Sequence, residues 1–133
     1  MESSVHTALP PYLKDVISAA NIRTEFRVDQ RTQWDATLEQ LPYIPVAYTN
    51  ASIDYQLAYQ QGHGGEWWDI SMVVFWDNKP SAIWPLSFSI KDGKGNLSSH
   101  GLPVIPPQVV PACVVSSRKR IAKSCLDLAG AIA

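Results

Sequence analysis

Two apolar stretches decide the fold, Ile70-Ser71-Met72-Val73-Val74-Phe75-Trp76 and Ala82-Ile83-Trp84-Pro85-Leu86-Ser87-Phe88, and the polar turn Asp77-Asn78-Lys79 joins them. Nearly continuous apolar runs of this kind are typical of strands that are covered on both faces. Together with the turn they predict a β-hairpin in the middle of a sheet. Proline has no N–H to donate to a strand ladder, so Pro85 predicts a bulge or a sheet edge at its position.

Helices and further strands are predicted on both sides of this hairpin. In chain order we expect a helix over residues 10–20, a strand over 22–29, helices over 32–41 and 50–61, the hairpin with a third antiparallel strand over 67–100, a proline-rich connection over 101–115 and a helix over 117–132. This order predicts a single α+β domain over residues 1–133, with a mixed, largely antiparallel sheet and flanking helices, or half of a larger mixed fold.

Several residues are expected to shape the ends and faces of these elements. Asn50 can satisfy free amides at the start of its helix, and Gly62 suits the left-handed residue that ends it. A capping box at residues 32–35 and a cap at Ser116 or Ser117 are predicted for two other helices. In the first strand, Arg27 belongs to the charged alternate positions and is therefore expected on the outer face.

Composition narrows the functional classes. The chain has 133 residues, of which 46% are hydrophobic and 17% charged, so a disordered chain is excluded. A net charge of −1 argues against a general binder of nucleic acid or of anionic membranes. No stretch is long and apolar enough to span a bilayer, because residues 101–117 contain four prolines.

The two cysteines, Cys113 and Cys125, cannot make a disulfide framework, and a reduced cytoplasmic setting is therefore expected. Cys125 falls on the apolar stripe of the last predicted helix, and Cys113 has no neighbouring base in sequence. Both are better explained as packed small hydrophobes than as nucleophiles.

Three histidines, His6, His63 and His100, lack metal-ligand partners at the spacing of known sites. A surface or loop position is the favoured interpretation of each. His100 is the best placed for function, because it lies at a strand end where loops often carry functional groups.

Two segments carry possible anion sites. Asp92-Gly93-Lys94-Gly95 resembles a phosphate-binding loop, but strand residues follow it rather than a helix, so a hairpin turn is favoured. Arg118 and Arg120 lie in a cationic stretch at the start of the last helix. This stretch either binds a small anion with free amides or forms a solvated basic face, and the second interpretation is favoured.

Five tryptophans and five tyrosines raise the possibility of a sugar- or peptide-binding groove. Most of them fall on apolar faces and are expected in the core, whereas Trp68 and Tyr55 or Tyr59 remain open as groove-lining residues. The region between His100, Trp84 and the helix start at Arg118 and Arg120 is where we expect a site.

The order of several motifs resembles a known family. Trp34-Asp35-x-x-Leu38 and a tyrosine-bearing helix over residues 52–59 precede a Gly-rich link. Asp69-Ile70-Ser71-x-Val73-Val74 then leads through an Asp-Asn turn to Ala82-Ile83-Trp84-Pro85-Leu86, and Gly101-Leu102-Pro103 leads through prolines to a helix. From Val28 to the C-terminus, this course resembles the first half of FemAB-like proteins, which belong to the GNAT superfamily of acyl-CoA N-acyltransferases.

The resemblance implies a mixed sheet with helices on its faces, as in the first half of a GNAT fold. It also implies transfer of an acyl or aminoacyl group to an amine of a sugar or peptide, achieved by positioning the amine and removing its proton. The pyrophosphate loop of the superfamily, Arg/Gln-x-x-Gly-x-Gly/Ala opening a helix, does not occur. Its nearest match is Ile90-x-x-Gly93-x-Gly95, where a strand follows.

No cofactor is therefore evident, acyl-CoA binding requires a missing second half, and no catalytic residue can be transferred from the family. Two hypotheses follow. The chain is either the N-terminal half of an N-acyltransferase or a non-catalytic binding or oligomerisation module. A half-fold exposes a strand or an apolar face, so we expect a homo-oligomer or a complementary half-domain as partner.

Overall fold

The computed structural model describes residues 10–20, 22–63, 65–76, 78–100, 103–105, 107–111 and 115–132. Its helices and strands are α1 (Pro11–Ala19), β1 (Arg23–Phe26), α2 (Arg31–Leu38), a 3-10 turn (Val46–Tyr48), α3 (Asn50–Gln61), β2 (Glu66–Asp69), β3 (Met72–Trp76), β4 (Lys79–Trp84), β5 (Ser87–Lys91), β6 (Lys94–Ser98), β7 (Gln108–Val109) and α4 (Val115–Ile132). The α+β class is confirmed. Every pairing between the described strands is antiparallel, so a mixed sheet is not seen among them.

A long antiparallel ribbon forms the centre of the molecule. β2 and β3 make one side of it, and β4 and β5 make the other. The ladder is interrupted between Asp69, which faces Ser87, and Met72, which faces Trp84. Two residues intervene on each side, so the register is unchanged across the interruption. A bulge at Pro85 is therefore wrong, and the shift in register lies instead between Val74 and Phe75.

Two hydrogen bonds explain the interruption. Pro85 has no N–H, and the next amide, that of Leu86, donates to the Ser71 hydroxyl at 3.0 Å instead of to a carbonyl of the opposite strand. The Ile70 N–H still donates to the Leu86 carbonyl at 3.0 Å. The ribbon is thus continuous as a chain path but divides into two sheets, with strand orders β1-β3-β4-β7 and β2-β5-β6.

Helices cover both faces of the ribbon, because alternate residues of a strand point to opposite sides. On one face α1 and α4 pack against Met72, Val74 and Trp84 in the first core. On the other face α2 and α3 pack against Val73 and Ile83 in the second core. Cys125 of α4 is buried in the first core, as predicted, and burial raises the pKa of its thiol to about 12.

Several predicted details of the helices are wrong. The side chain that caps α3 is Thr49, which accepts from the Ser52 N–H, whereas Asn50 is the first helical residue and its side chain points to other partners. Gly62 ends α3 with a φ of −74°, so it is not left-handed. No side chain caps α2, whose N-cap is Gln30. Because α4 begins at Val115, the two serines of residues 116–117 lie within its first turn.

The turn at Asp92-Gly93 joins β5 and β6, with φ values of 54° and 76°. A hairpin turn therefore occupies the segment that resembles a phosphate loop. His6, Asp77, Gly101 and Cys113 lie outside the described residues. Within the described ranges, no helix has the length and apolar character that crossing a membrane requires.

Candidate functional site

The face of the ribbon under α2 and α3 is divided into an apolar half and a polar half. Towards the hairpin turn it carries Val73 and Ile83, which belong to the second core. Beyond the interruption at Pro85 the equivalent positions are Asp69, Ser71 and Ser87, all of them buried. Buried polar groups need hydrogen-bond partners, so this polar half requires a network.

Asp69 is the centre of that network. Its Oδ2 accepts from Nη1 of Arg27 at 2.8 Å, and its Oδ1 accepts from the Ser71 N–H at 2.9 Å. Nε2 of His100 lies 3.1 Å from the same Oδ1. Burial by itself raises the pKa of Asp69, but the hydrogen bond and charge of His100 and the hydrogen bonds from Ser71 hold the pKa below its ordinary value. Asp69 is therefore an ionised carboxylate that can only accept hydrogen bonds.

This carboxylate fixes the tautomer of His100. Because Asp69 has no proton to give, Nε2 must carry the hydrogen that lies between the two side chains. In the neutral ring, Nδ1 then carries a lone pair and is the basic nitrogen. Nδ1 is buried and has no hydrogen-bond partner among the described residues, and the His100 side chain is only 5% exposed.

The backbone of His100 is held in an uncommon conformation. Its φ of 52° is in the left-handed region, which costs a residue with a Cβ about 1 kcal/mol. The His100 N–H donates to the Ser87 hydroxyl at 3.0 Å, so the sheet holds the residue there. Strained residues that the surrounding structure holds in place cluster at functional sites, which makes the ring a candidate for chemistry.

The arrangement is an acid–histidine dyad and differs from a nucleophilic triad. In a triad, the acid and the nucleophile contact different nitrogens of the histidine. Here the Ser71 hydroxyl lies 3.1 Å from Nε2, the nitrogen that Asp69 also contacts. Ser71 is fully buried and accepts from the Leu86 amide. The geometry therefore favours proton transfer at Nδ1 over attack by the serine.

Arg27 connects the dyad to α3. Its guanidinium donates to Asp69, to Asn50 Oδ1 and to Asp54 Oδ1, each at 2.8 Å. The side chain is 3% exposed, so the predicted position on an outer, charged face is wrong. β1 ends at Phe26, and the alternation of exposed charges does not extend to the next residue.

Of the predicted site residues, His100 lies in this network, whereas two tryptophans lie in the first core on the opposite face. Trp84 is buried there and its Nε1 donates to the Ile105 carbonyl at 2.7 Å. Trp68 packs with Phe88, with ring centroids 6.1 Å apart. Both are enclosed in the core and do not line an open groove.

Tyr59 is a surface residue of α3. Its ring stacks on His63 at a centroid distance of 4.2 Å, and the Tyr55 ring lies 6.3 Å away. Arg118 and Arg120 are exposed in the first turns of α4, and Arg118 Nη2 donates to the Pro111 carbonyl at 3.4 Å. Among the described residues, no hydrogen bond or ion pair joins either arginine to His100.

Sequence reasoning missed Arg27, Asp69 and Ser71 as site residues. The usable signal was a pair of polar residues at alternate positions inside an apolar run, since a strand buried on both faces has no solvent side for them. Within the described ranges, no group of three or more His, Cys, Asp or Glu residues is placed to hold a metal ion.

Comparison with known proteins gives no relative for this chain. No protein-family model, no curated protein and no solved structure matches it. The dyad and the fold around it are therefore the basis for functional inference.

Proposed function

We propose that this chain is the acceptor-binding half of an N-acyltransferase, and that Nδ1 of His100 takes the proton of the acceptor amine. The motif order that resembles FemAB-like proteins supports the reaction class. Helices on both faces of the strands agree with the architecture that this resemblance implies. The pairings of the described strands differ from it, since all of them are antiparallel and the resemblance implies a mixed sheet.

The observation that carries the proposal is the buried Nδ1, which lacks a hydrogen-bond partner in the part of the chain that the structure describes. A buried acceptor that lacks a hydrogen bond costs about 1–3 kcal/mol. A ligand N–H that donates to Nδ1 removes this cost, so this nitrogen favours a ligand with a proton to give. Because Nδ1 is buried in the structure, such a ligand reaches it only when the surrounding residues move. An amine is such a ligand, and the Asp69 carboxylate stabilises the imidazolium that forms when the proton arrives.

The proton transfer is balanced by the rest of the reaction. The amine nitrogen forms a bond to the acyl carbon, and the bond from that carbon to the donor's sulfur or oxygen breaks. The amine proton goes to Nδ1, and the leaving group later takes up a proton. His100 thus acts as a general base in the first step and can return the proton as a general acid.

The donor comes, in this proposal, from a complementary half-domain. The donor loop of the superfamily does not occur in the sequence, and an edge is open for a further strand. Among the described strands β6 pairs only with β5, and its residues from Lys94 to Asn96 are exposed. Unpaired edge strands are the usual place where another polypeptide adds to a sheet.

Nuclear magnetic resonance of ¹⁵N-histidine-labelled protein tests the role of His100. Glucosamine and glycinamide represent the amines of sugars and peptides, and we expect them to shift the Nδ1 resonance of His100. N-acetylglucosamine is the matched control, because it keeps the sugar and lacks the free amine. Equal responses to glucosamine and to N-acetylglucosamine, or no response to either amine, overturn the proposal.

Two variants assign the response. His100→Gln removes the signal and the base, and we expect it to abolish any acylation of glucosamine once a donor half is supplied. His63→Gln is the control, because His63 lies on the surface against Tyr59. With the chain alone, acetyl-CoA is expected to leave the thermal unfolding temperature unchanged. A shift at millimolar acetyl-CoA contradicts the assignment of the donor to a second half.

A non-catalytic binding or oligomerisation module is the second candidate. It is favoured by two large apolar side chains, Tyr43 before the 3-10 turn and Val46 at its first position, which are 73% and 75% exposed. Light scattering tests this candidate through its surface, because an acyltransferase half that associates through its β6 edge keeps its oligomeric state when Tyr43 and Val46 are changed. If Tyr43→Ser and Val46→Ser together convert an oligomer to a monomer, this surface is the interface.

A further inference from the structure

Three contacts hold the Arg27 guanidinium, and they come from two different parts of the molecule. Asp69 Oδ2 belongs to the ribbon, while Asn50 Oδ1 and Asp54 Oδ1 belong to the first half of α3. All three distances are 2.8 Å, and the nitrogens used are Nη1, Nε and Nη2 in turn. The planar guanidinium is thus fixed in its orientation as well as in its position.

We infer that Arg27 is a positioning residue, which holds the Asp69 carboxylate in the orientation that keeps a hydrogen on Nε2 of His100, so that in the neutral ring Nδ1 carries the lone pair. This inference rests on the proposed function of His100 as a base. It adds the residue that fixes the tautomer of the base. It also names α3 as the element that holds this residue in place.

The physical reason lies in the two oxygens of Asp69. Oδ1 accepts from the Ser71 N–H and contacts Nε2 of His100, while Oδ2 has Arg27 as its only hydrogen-bond partner among the described residues. Without Arg27, Oδ2 is a buried carboxylate oxygen without its cation, which is a costly state. The carboxyl group then rotates or takes up a proton. Either change removes the acceptor that keeps the hydrogen on Nε2.

Neighbouring charges on the surface do not replace this contact. Arg31 lies 3.6 Å from Asp35 and 3.9 Å from Asp54, and it is half-exposed. It belongs to the same charge cluster, but no hydrogen bond or ion pair between described residues joins it to Asp69. Asn50 Nδ2 donates to Asp35 at 2.7 Å, which fixes the amide so that its oxygen faces Arg27. Arg31 therefore provides a matched control for the loss of one positive charge.

The tautomer of His100 is the readout, because a purely structural role of Arg27 leaves it unchanged. We expect Arg27→Met to move the Nδ1 resonance from the unprotonated towards the protonated range and to abolish its response to glucosamine. Arg31→Met is expected to keep both the resonance and the response. A folded Arg27→Met protein with the Nδ1 resonance of the native protein overturns the inference.

A second variant decides the question if Arg27→Met does not fold, as judged by its near-ultraviolet circular dichroism. Arg27→Lys keeps the charge, but a single ammonium cannot reproduce the three-point geometry. It is expected to shift the Nδ1 resonance partway, and an unchanged resonance overturns the inference. Failure of this inference and failure of the proposed function give different results. If the proposed function fails, the native protein does not respond to glucosamine. The effect of Arg27 on the tautomer is measured without any amine, so it is tested separately.

Discussion

The buried residues in the two halves of the ribbon face under α2 and α3 are stabilised by different interactions. Near the hairpin turn, Val73 and Ile83 pack against apolar side chains of the helices. Beyond Pro85, the same face carries Asp69 and Ser71, which are held by charges and hydrogen bonds. Packing tolerates some change of shape, whereas a buried ionic network loses much of its stability when one member is removed. The polar half therefore depends on the identity of each of its residues more strongly than the apolar half does.

The largest effect is expected from Asp69→Ala. It leaves the Arg27 guanidinium buried without its buried counter-charge, and removing one partner of such a pair costs about 3–5 kcal/mol. The free energy of unfolding in urea measures the loss. Asp69→Asn keeps the shape and is expected to lose less. A loss below about 1 kcal/mol in Asp69→Ala would show that this ion pair contributes no more to stability than an ion pair on the surface.

The matching change in the apolar half is Ile83→Ala, for which we expect a loss of about 3 kcal/mol from the removed methyl groups and the cavity they leave. The ¹⁵N resonance of His100 then separates the effects of changes in the two halves. Ile83→Ala is expected to leave the Nδ1 resonance of His100 in place, because no polar atom of the network is lost. A changed tautomer in this variant would break the division into two halves.

A smaller, pH-dependent effect follows from the lowered pKa of Asp69. A carboxyl group with a lowered pKa in the folded state contributes stability that is present above its ordinary pKa of 3.8 and is lost as the pH falls through the folded value. Urea unfolding of the native protein and of Asp69→Asn is therefore expected to differ most above about pH 4. Below that value the difference should shrink. A difference that stays constant down to pH 2 would contradict the assignment.

The smallest effect concerns the backbone of His100. Because φ is 52°, His100→Gly should be more stable than His100→Ala by about 1 kcal/mol, the reverse of the order found in helices. Both variants lose the base, so the difference isolates the conformation. Thermal unfolding of the two proteins, compared at the same pH, checks it. Equal stability would mean that the left-handed conformation carries no strain.

The hairpin and the helices could be predicted because each depends on residues that are close in sequence. The apolar runs of residues 70–76 and 82–88 and the Asp92-Gly93 turn specify local geometry directly. The dyad could not be predicted in this way. Its contacts join Arg27 to Asp69 across 42 residues and Asp69 to His100 across 31, so they exist only after the sheet has formed.

Burial of Arg27 shows why pattern reasoning fails at such a site. Arg23 and Glu25 pair with each other at 2.8 Å on the face of β1 that the register places beside Phe75 and Val73, and the alternation puts Arg27 on the same face. The Arg27 N–H donates to the Ser71 carbonyl at 2.8 Å, which continues the register of β1 by one residue and keeps Arg27 on that face. Arg27 is buried there because its guanidinium donates to Asp69 and to the α3 residues Asn50 and Asp54. The position of His100 at a strand end can be read from the sequence, whereas its contact with Asp69 can be recognised only in the folded structure.

The interruption at Pro85 has a consequence for how the sheet responds to mutation. The Ser71 hydroxyl receives the Leu86 amide, and the Ser99 hydroxyl donates to the Pro85 carbonyl at 2.8 Å while accepting the Ile105 amide at 3.0 Å. At this interruption, the hydroxyl groups of serine side chains are hydrogen-bond partners of main-chain amides and carbonyls. In an ordinary strand a change of side chain leaves the ladder intact, whereas here Ser71→Ala removes the acceptor of the Leu86 amide and Ser99→Ala removes the acceptor of the Ile105 amide.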